Sequence, residues 1–235
     1  RITDNIADIH GADLVIVTAG VVPTPEERAF FQSMDHTGRM AAAYANFGMV
    51  QEISQAVSEY APDAHVLMVA NQSDMMAEIA RDHVNPERVL GFGGMLDRAR
   101  FHDFLMRKPG VKYAETVHMA GYHNEDMIFL SSTLSNVGID EKTLSDVLKE
   151  TRDAGKRISS LYRAGGAGPG VSTTPYMAPA YCIALAMQAF TGQRELEAAF
   201  NIRISDPRLA DSYNVSKGSP LSIPLRLEKG GYQPV

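Results

Sequence analysis

The chain has 235 residues, 45% hydrophobic and 21% charged, with 22 basic against 28 acidic side chains and a formal net charge of −6. That balance is ordinary for a globular protein and gives no electrostatic reason to expect nucleic acid or an anionic membrane as a partner. The single cysteine, Cys182, excludes an intrachain disulfide and suits a reducing, cytoplasmic compartment; no apolar run reaches the roughly 18 residues of a membrane helix, and the opening Arg1-Ile2-Thr3-Asp4 does not read as a secretory signal.

Asp13 to Ala19, closed by Gly20, is a β-branched apolar run and reads as a strand buried on both faces of a parallel sheet. Pro23 and Pro25 then predict a loop, Val21 to Gly38. From Arg39 to about Tyr60, the apolar residues Tyr44, Phe47, Val50, Ile53 and Val57 recur at helical spacing, and Pro62 ends the helix. His65 to Ala70 reads as a second buried strand, Asp74 to Asp82 as a helix, and Arg88 to Phe92 as a third strand. Leu96 to Lys108 reads as a helix stopped by Pro109-Gly110. Strands and helices alternating in this way predict a doubly wound α/β sheet.

The order then changes. Thr116 to Ala120 and Met127 to Ser131 read as paired strands. A long amphipathic helix follows, with Leu144, Val147, Leu148, Thr151, Ile158 and Leu161 on one stripe. Gly165 to Gly170 is a loop, and Pro175 to Phe190 is apolar enough to predict a buried helix holding Cys182 as a structural thiol. From Ala198 onward, alternation and the turn signals Lys217-Gly218 and Gly230-Gly231 predict antiparallel strands. Two domains are expected: an α/β part over residues 1–110 and a mixed α+β part over 111–235.

Four places could carry chemistry. Asp97 and Arg100 fall at i and i+3 on one helix face, as a surface ion pair or as an anion clamp, for which arginine is the best side chain. His123, in Gly121-Tyr122-His123-Asn124-Glu125, ends a strand where an α/β enzyme often holds an acid/base imidazole, though a structural histidine fits the same position. Asn71 follows a buried strand, where ligands bind in open α/β sheets; capping the next helix is the other reading. Arg39 opens a helix after a proline-rich loop and could close over an anion, or simply be solvated.

Taken in order, Gly11-Ala-Asp-Leu-Val-Ile-Val-Thr-Ala-Gly20, Arg39 seven residues before Asn46, Val69-Ala70-Asn71, Gly91 to Phe101 with Leu96-Asp97, Gly121-Tyr122-His123 and Tyr176-Met177-Ala178-Pro179-Ala180 resemble the malate/lactate dehydrogenase family. The resemblance runs roughly from residue 10 to 231. It implies a partial Rossmann-type doubly wound sheet followed by an α+β catalytic domain. It further implies that NAD or NADP is the cofactor, no metal is used, and the substrate is a 2-hydroxy acid or small dicarboxylate. His123 would be the proton donor and acceptor, and Asp97 would bond its other ring nitrogen and stabilise the imidazolium. Arg100 would grip the C1 carboxylate, Arg39 would polarise the carbonyl from a closing loop, and Asn71 would fix the substrate oxygen and the nicotinamide. Thr174 falls where the family has a small hydroxyl residue near the pocket; Gly20 would let the backbone approach the dinucleotide, and Gly20, Asn46 and Asn71 would be the cofactor-binding residues. Arg28 is the arginine available for a second carboxylate. The surroundings of Tyr176 to Ala180 and of His123 are the more malate-like, and the family suggests a homodimer or homotetramer.

The departures are as definite. The family opens with a strand and Gly-x-Gly-x-x-Gly for the pyrophosphate, then an acidic residue for the ribose; nothing here matches, and the equivalent of about 70 residues is missing against the usual size of that half. With no initiator Met, this favours a fragment over a true truncation. Gln72 stands where the family has Pro, and the stretch 21–38 is longer than the family's by about ten residues, which a surface loop tolerates. A non-catalytic relative serving as a binding or assembly module is the competing reading. A third, a glycosidase-like NAD-dependent relative, lacks the metal-ligating residues it would need.

Overall fold

The computed structural model describes residues 2–21, 23–34, 38–111, 117–123, 126–130, 134, 137–163 and 176–235. The chain forms two compact units, Arg1–Gly93 with Asn201–Leu221, and Gly94–Phe200 with Ser222–Val235. The division falls at Gly93 rather than near residue 110. Residues 201–221 return to the first unit because the strand β6 (Leu196–Arg203) meets β3 (Val89–Gly91) in antiparallel register at Gly91 and Asn201.

In the first unit, β1 (Leu14–Val17), β2 (His65–Met68) and β3 are parallel, with Val17 opposite Met68 and Met68 opposite Gly91. The strand order there is β1-β2-β3-β6. Helix α2 (Gly38–Tyr60) turns Ala43, Val50 and Val57, spaced by two turns, toward a core of Val17, Val66, Met68, Met76, Ala77, Ala80 and Val89. Met76, Ala77 and Ala80 come from α3 (Ser73–Arg81). The first strand is less buried than expected: within β1 only Val17 is fully buried, and among the described residues β1 pairs with β2.

The expected loop over residues 21–38 also needs correcting, because it contains the helix α1 (Pro25–Ser33). Thr24 Oγ1 accepts from the Glu27 N–H while the Glu27 carboxylate accepts from the Thr24 N–H. That is a complete capping box, and Pro25 sits in the first turn, where its missing N–H costs nothing. Arg81, its side chain fully buried, ties β3 to β6. It donates to Glu78, to Val89 O at 3.0 Å, and to Oδ1 and O of Asn201 at 2.9 and 2.7 Å.

In the second unit, α4 (Gly93–Met106) sends Phe101 and Leu105 into a core with Val117, Met119, Met127, Phe129, Val137, Val147 and Ala199. The Phe101 and Phe129 rings stack obliquely at 4.4 Å. The short strands β4 (Met119–Ala120) and β5 (Ile128–Phe129) pair antiparallel as expected, and α5 (Glu141–Arg163) buries Val147, Thr151 and Ala154 on one stripe. Helix α6 (Met177–Phe190) is not the buried helix that its composition predicts. Cys182, Ala186 and Ala189 pack inward, but Met177, Tyr181 and Met187 are exposed, since only one face finds a partner among the described residues. A short helix α7 (Pro207–Ser212) precedes β7 (Pro220–Glu228), which pairs antiparallel with β8 (Gly231–Pro234). No helix among the described residues is long and apolar enough to cross a membrane.

Candidate functional site

The polar cluster of the second unit forms on α4. One turn of helix separates Asp97 from Arg100, and the guanidinium Nη1 donates to Asp97 Oδ1 at 3.0 Å. The other carboxylate oxygen, Oδ2, accepts from His123 Nδ1 at 2.5 Å. The Asp97 side chain is 1% exposed, Arg100 18% and His123 29%. This is therefore not a surface ion pair. A carboxylate taken out of water is held between a cation and an imidazole, and its two partners remain within reach of a ligand.

His123 is brought there by Gly121. That residue has φ +106°, outside the range of L side chains, and a Cβ on it would stand 3.0 Å from Asp126 O and 3.3 Å from Met127 Cα. Its backbone exchanges two hydrogen bonds of 3.0 Å with Ser222, so the turn that carries His123 is anchored on both sides. The other two histidines of this unit lie in different surroundings. Burial, reinforced by the Arg98 guanidinium, pushes His102 down to about 4. His118 is also lowered, chiefly by burial, with Glu197 pulling the other way. The Glu197 carboxylate stands 3.8 Å from His118 Nε2. Cys182 is buried, and burial pushes its thiol up to about 11, so it stays protonated and inert.

A second polar cluster lies in the first unit, at the carboxyl ends of β1 and β2. Asn46 Oδ1 accepts from the Val21 N–H at 2.6 Å, and its Nδ2 donates to Ala42 O at 2.7 Å and to Asn71 O at 3.1 Å. Gly20 lies alongside, 3.8 Å from Asn46 Oδ1 if given a Cβ. The Asn71 side chain is exposed, and the Asn71–Gln72 peptide is cis. The capping alternative for Asn71 is not what the chain adopts: Gln72 occupies the N-cap of α3 and makes no side-chain cap bond. Arg28, on α1, is exposed and donates from Nε to Pro23 O at 3.2 Å.

Asp97, Arg100 and His123 are thus brought together in one unit, and Gly20, Asn46 and Asn71 in the other. Arg39 lies in the first turn of α2, but its side chain is outside the described residues, as is Thr174. The feature that sequence reasoning missed is how Asn46 is used. Two of its three partners, Val21 and Asn71, lie 25 residues away on either side, and no local motif marks such a contact.

Residues 2–91 match the family model for the NAD binding domain of lactate/malate dehydrogenase. Malate dehydrogenase 2 of Rhodopseudomonas palustris is 31% identical over 248 aligned residues, covering 99% of this chain and 70% of that protein. The malate dehydrogenase of Picrophilus torridus is 29% identical over 177 residues, covering 71% of this chain and 52% of the relative. The chain thus spans 52% to 70% of the length of these relatives. The structure of the Picrophilus torridus malate dehydrogenase in its apo form superposes with a TM-score of 0.77 at 24% identity, over 98% of this chain and 68% of that one, a likeness of fold.

Proposed function

Because the chain belongs to the lactate/malate dehydrogenase family, we propose that it interconverts a 2-hydroxy acid and its 2-oxo acid with NAD or NADP, and that malate and oxaloacetate are the pair. The observation that carries this reading is the buried Asp97 carboxylate shared between His123 and Arg100. A binding module gains nothing from an imidazole set on a buried carboxylate. A proton-transferring enzyme needs one ring nitrogen held so that the other is aimed.

The first unit suits a dinucleotide. Its parallel strands β1 and β2 end at Val17 and Met68, three residues before Gly20 and Asn71, and a Cβ at Gly20 would find nothing nearer than 3.8 Å, so backbone there is open to close approach by a flat ring or a ribose. When bound, the nicotinamide supplies or accepts the hydride. The chain's own residues handle the proton and the substrate. In the reducing direction His123 gives a proton from Nε2 to the oxygen that becomes the 2-hydroxyl, and it takes that proton back in the oxidising direction. Asp97 orients the ring through Nδ1 and balances its charge. Arg100, its plane fixed by Asp97, pairs with the C1 carboxylate through two N–H groups. By the family resemblance, Asn71 and Arg39 are the candidates for bonding the substrate oxygen, Thr174 for the small hydroxyl residue, and Arg28 for a second carboxylate. A homodimer or homotetramer in the cytoplasm is the expected working form.

The test is NADH oxidation by the native protein with oxaloacetate or pyruvate as acceptor. Turnover with oxaloacetate exceeding that with pyruvate is expected. No turnover with either, and no change in NADH fluorescence on mixing, would favour the non-catalytic reading instead.

A further inference from the structure

The first turn of α4 lies directly against β6. A Cβ built on Gly94 would stand 2.9 Å from both the Cβ and the carbonyl oxygen of Ala199, and 3.2 Å from its carbonyl carbon. Two of those three atoms are backbone, so no side-chain rotation could clear the space. Within a helix, alanine is normally favoured over glycine, which loses more backbone freedom on folding. Glycine at 94 runs against that preference, and the approach of Ala199 is the physical reason. Residue 94 shares a helix face with Asp97, three positions on, and with Phe101, seven on. Asp97 and Phe101 are fully buried, and Phe101 packs in one core with Ala199. The separation between α4 and β6 therefore sets where the Asp97 carboxylate stands. His123 is referenced to the next strand: β7 neighbours β6 in the sheet, and Ser222 of β7 exchanges two backbone hydrogen bonds with Gly121. The two ends of the 2.5 Å Asp97–His123 bond thus depend on two adjacent strands.

We propose that Gly94 is a positioning residue, whose missing side chain lets α4 sit close enough to β6 for Asp97 to hold His123. The close approach is a matter of geometry; its effect on turnover rests on the dehydrogenase reading of His123. A methyl group at 94 would have to lift the first turn of α4 away from Ala199 or push β6 aside. Asp97 and Arg100 ride on the same helix and move together, so their bond survives. The Asp97–His123 bond joins α4 to the Gly121 turn and carries the change. A bond that starts at 2.5 Å cannot absorb such a shift and stay as short. Displacing a reacting group by about 1 Å can cost about a hundredfold in rate.

The experiment compares Gly94→Ala and Ala199→Val with wild type in the native protein. The readouts are the proton resonance of His123 Nδ1–H, identified by its loss in His123→Asn, the NADH dissociation constant by fluorescence, and kcat/KM for oxaloacetate. A short, charge-assisted bond to a carboxylate draws that proton far downfield. In Gly94→Ala the resonance should move upfield and kcat/KM should fall by about tenfold or more, while NADH affinity stays within about threefold. Ala199→Val fills the same space from the strand side and should move the resonance and kcat/KM in the same direction. An unmoved resonance in a folded Gly94→Ala overturns the positioning role. A loss of NADH affinity as large as the loss in kcat/KM overturns it too, because the position would then act on the cofactor. If Gly94→Ala does not fold, Ala199→Val decides by the same readouts. A wild type without turnover removes the dehydrogenase reading alone, and the resonance still decides what Gly94 does.

Discussion

Removing a carboxylate from water costs several kcal/mol, and Asp97 offsets that only through both of its partners. The same two bonds fix the direction of the Arg100 guanidinium and the tilt of the His123 ring, so one buried residue aims two functional ones. Lysine at position 100 could keep the charge beside Asp97 but could not present two parallel donors to a carboxylate. Arg100→Lys should therefore raise the KM for oxaloacetate by about tenfold or more, with a smaller change in kcat. An unchanged KM in steady-state kinetics would remove the carboxylate role. Asp97 and Arg100 were legible as a pair because they share a helix face, whereas the Asp97–His123 bond spans 26 residues and was reached only through the family resemblance. Asn46 was legible as a residue of interest but not in its use. Its side chain acts on Val21 and Asn71, and only the folded sheet brings those two together.

Among the elements, the clearest lesson is α1. Pro23 and Pro25 suggest a loop, yet Thr24-x-x-Glu27 is a capping-box pattern and Pro25 occupies a position that helices accept. The local start signal outweighs the proline count. Thr24→Ala should cost the helix about 1 kcal/mol and so speed amide exchange over residues 25–33 by about fivefold, leaving α2 unaffected. Unchanged exchange there would mean that α1 is held by its packing rather than its cap; the Phe31 ring does lie 5.5 Å from Tyr44 of α2. Helix α6 erred in the other direction. An all-apolar composition says that a helix tends to be buried but not by what, and here only the Cys182, Ala186, Ala189 stripe is covered. The parallel strands were easier, because β-branched runs between helices leave few other arrangements.

On the scale of the whole molecule, the two units correspond to two tasks in the proposed reaction. The first presents open strand ends to a dinucleotide, and the second holds the proton-transferring pair. Their boundary was not legible because it does not follow chain order: Asn201 pairs with Gly91, and Arg81 locks that join, so a late segment belongs with the early one. Which late residue returns to which early strand is a property of the fold and is not written in the periodicity of either segment. The central claim is that His123, held by Asp97, moves the proton of a 2-hydroxy-acid dehydrogenase. The most direct measurement is oxaloacetate-dependent NADH oxidation by wild type beside His123→Asn, with NADH binding followed in both. An active wild type and a variant whose kcat falls by about a thousandfold, with NADH binding retained, is the predicted result. Turnover in the variant within a few-fold of wild type would contradict the assignment.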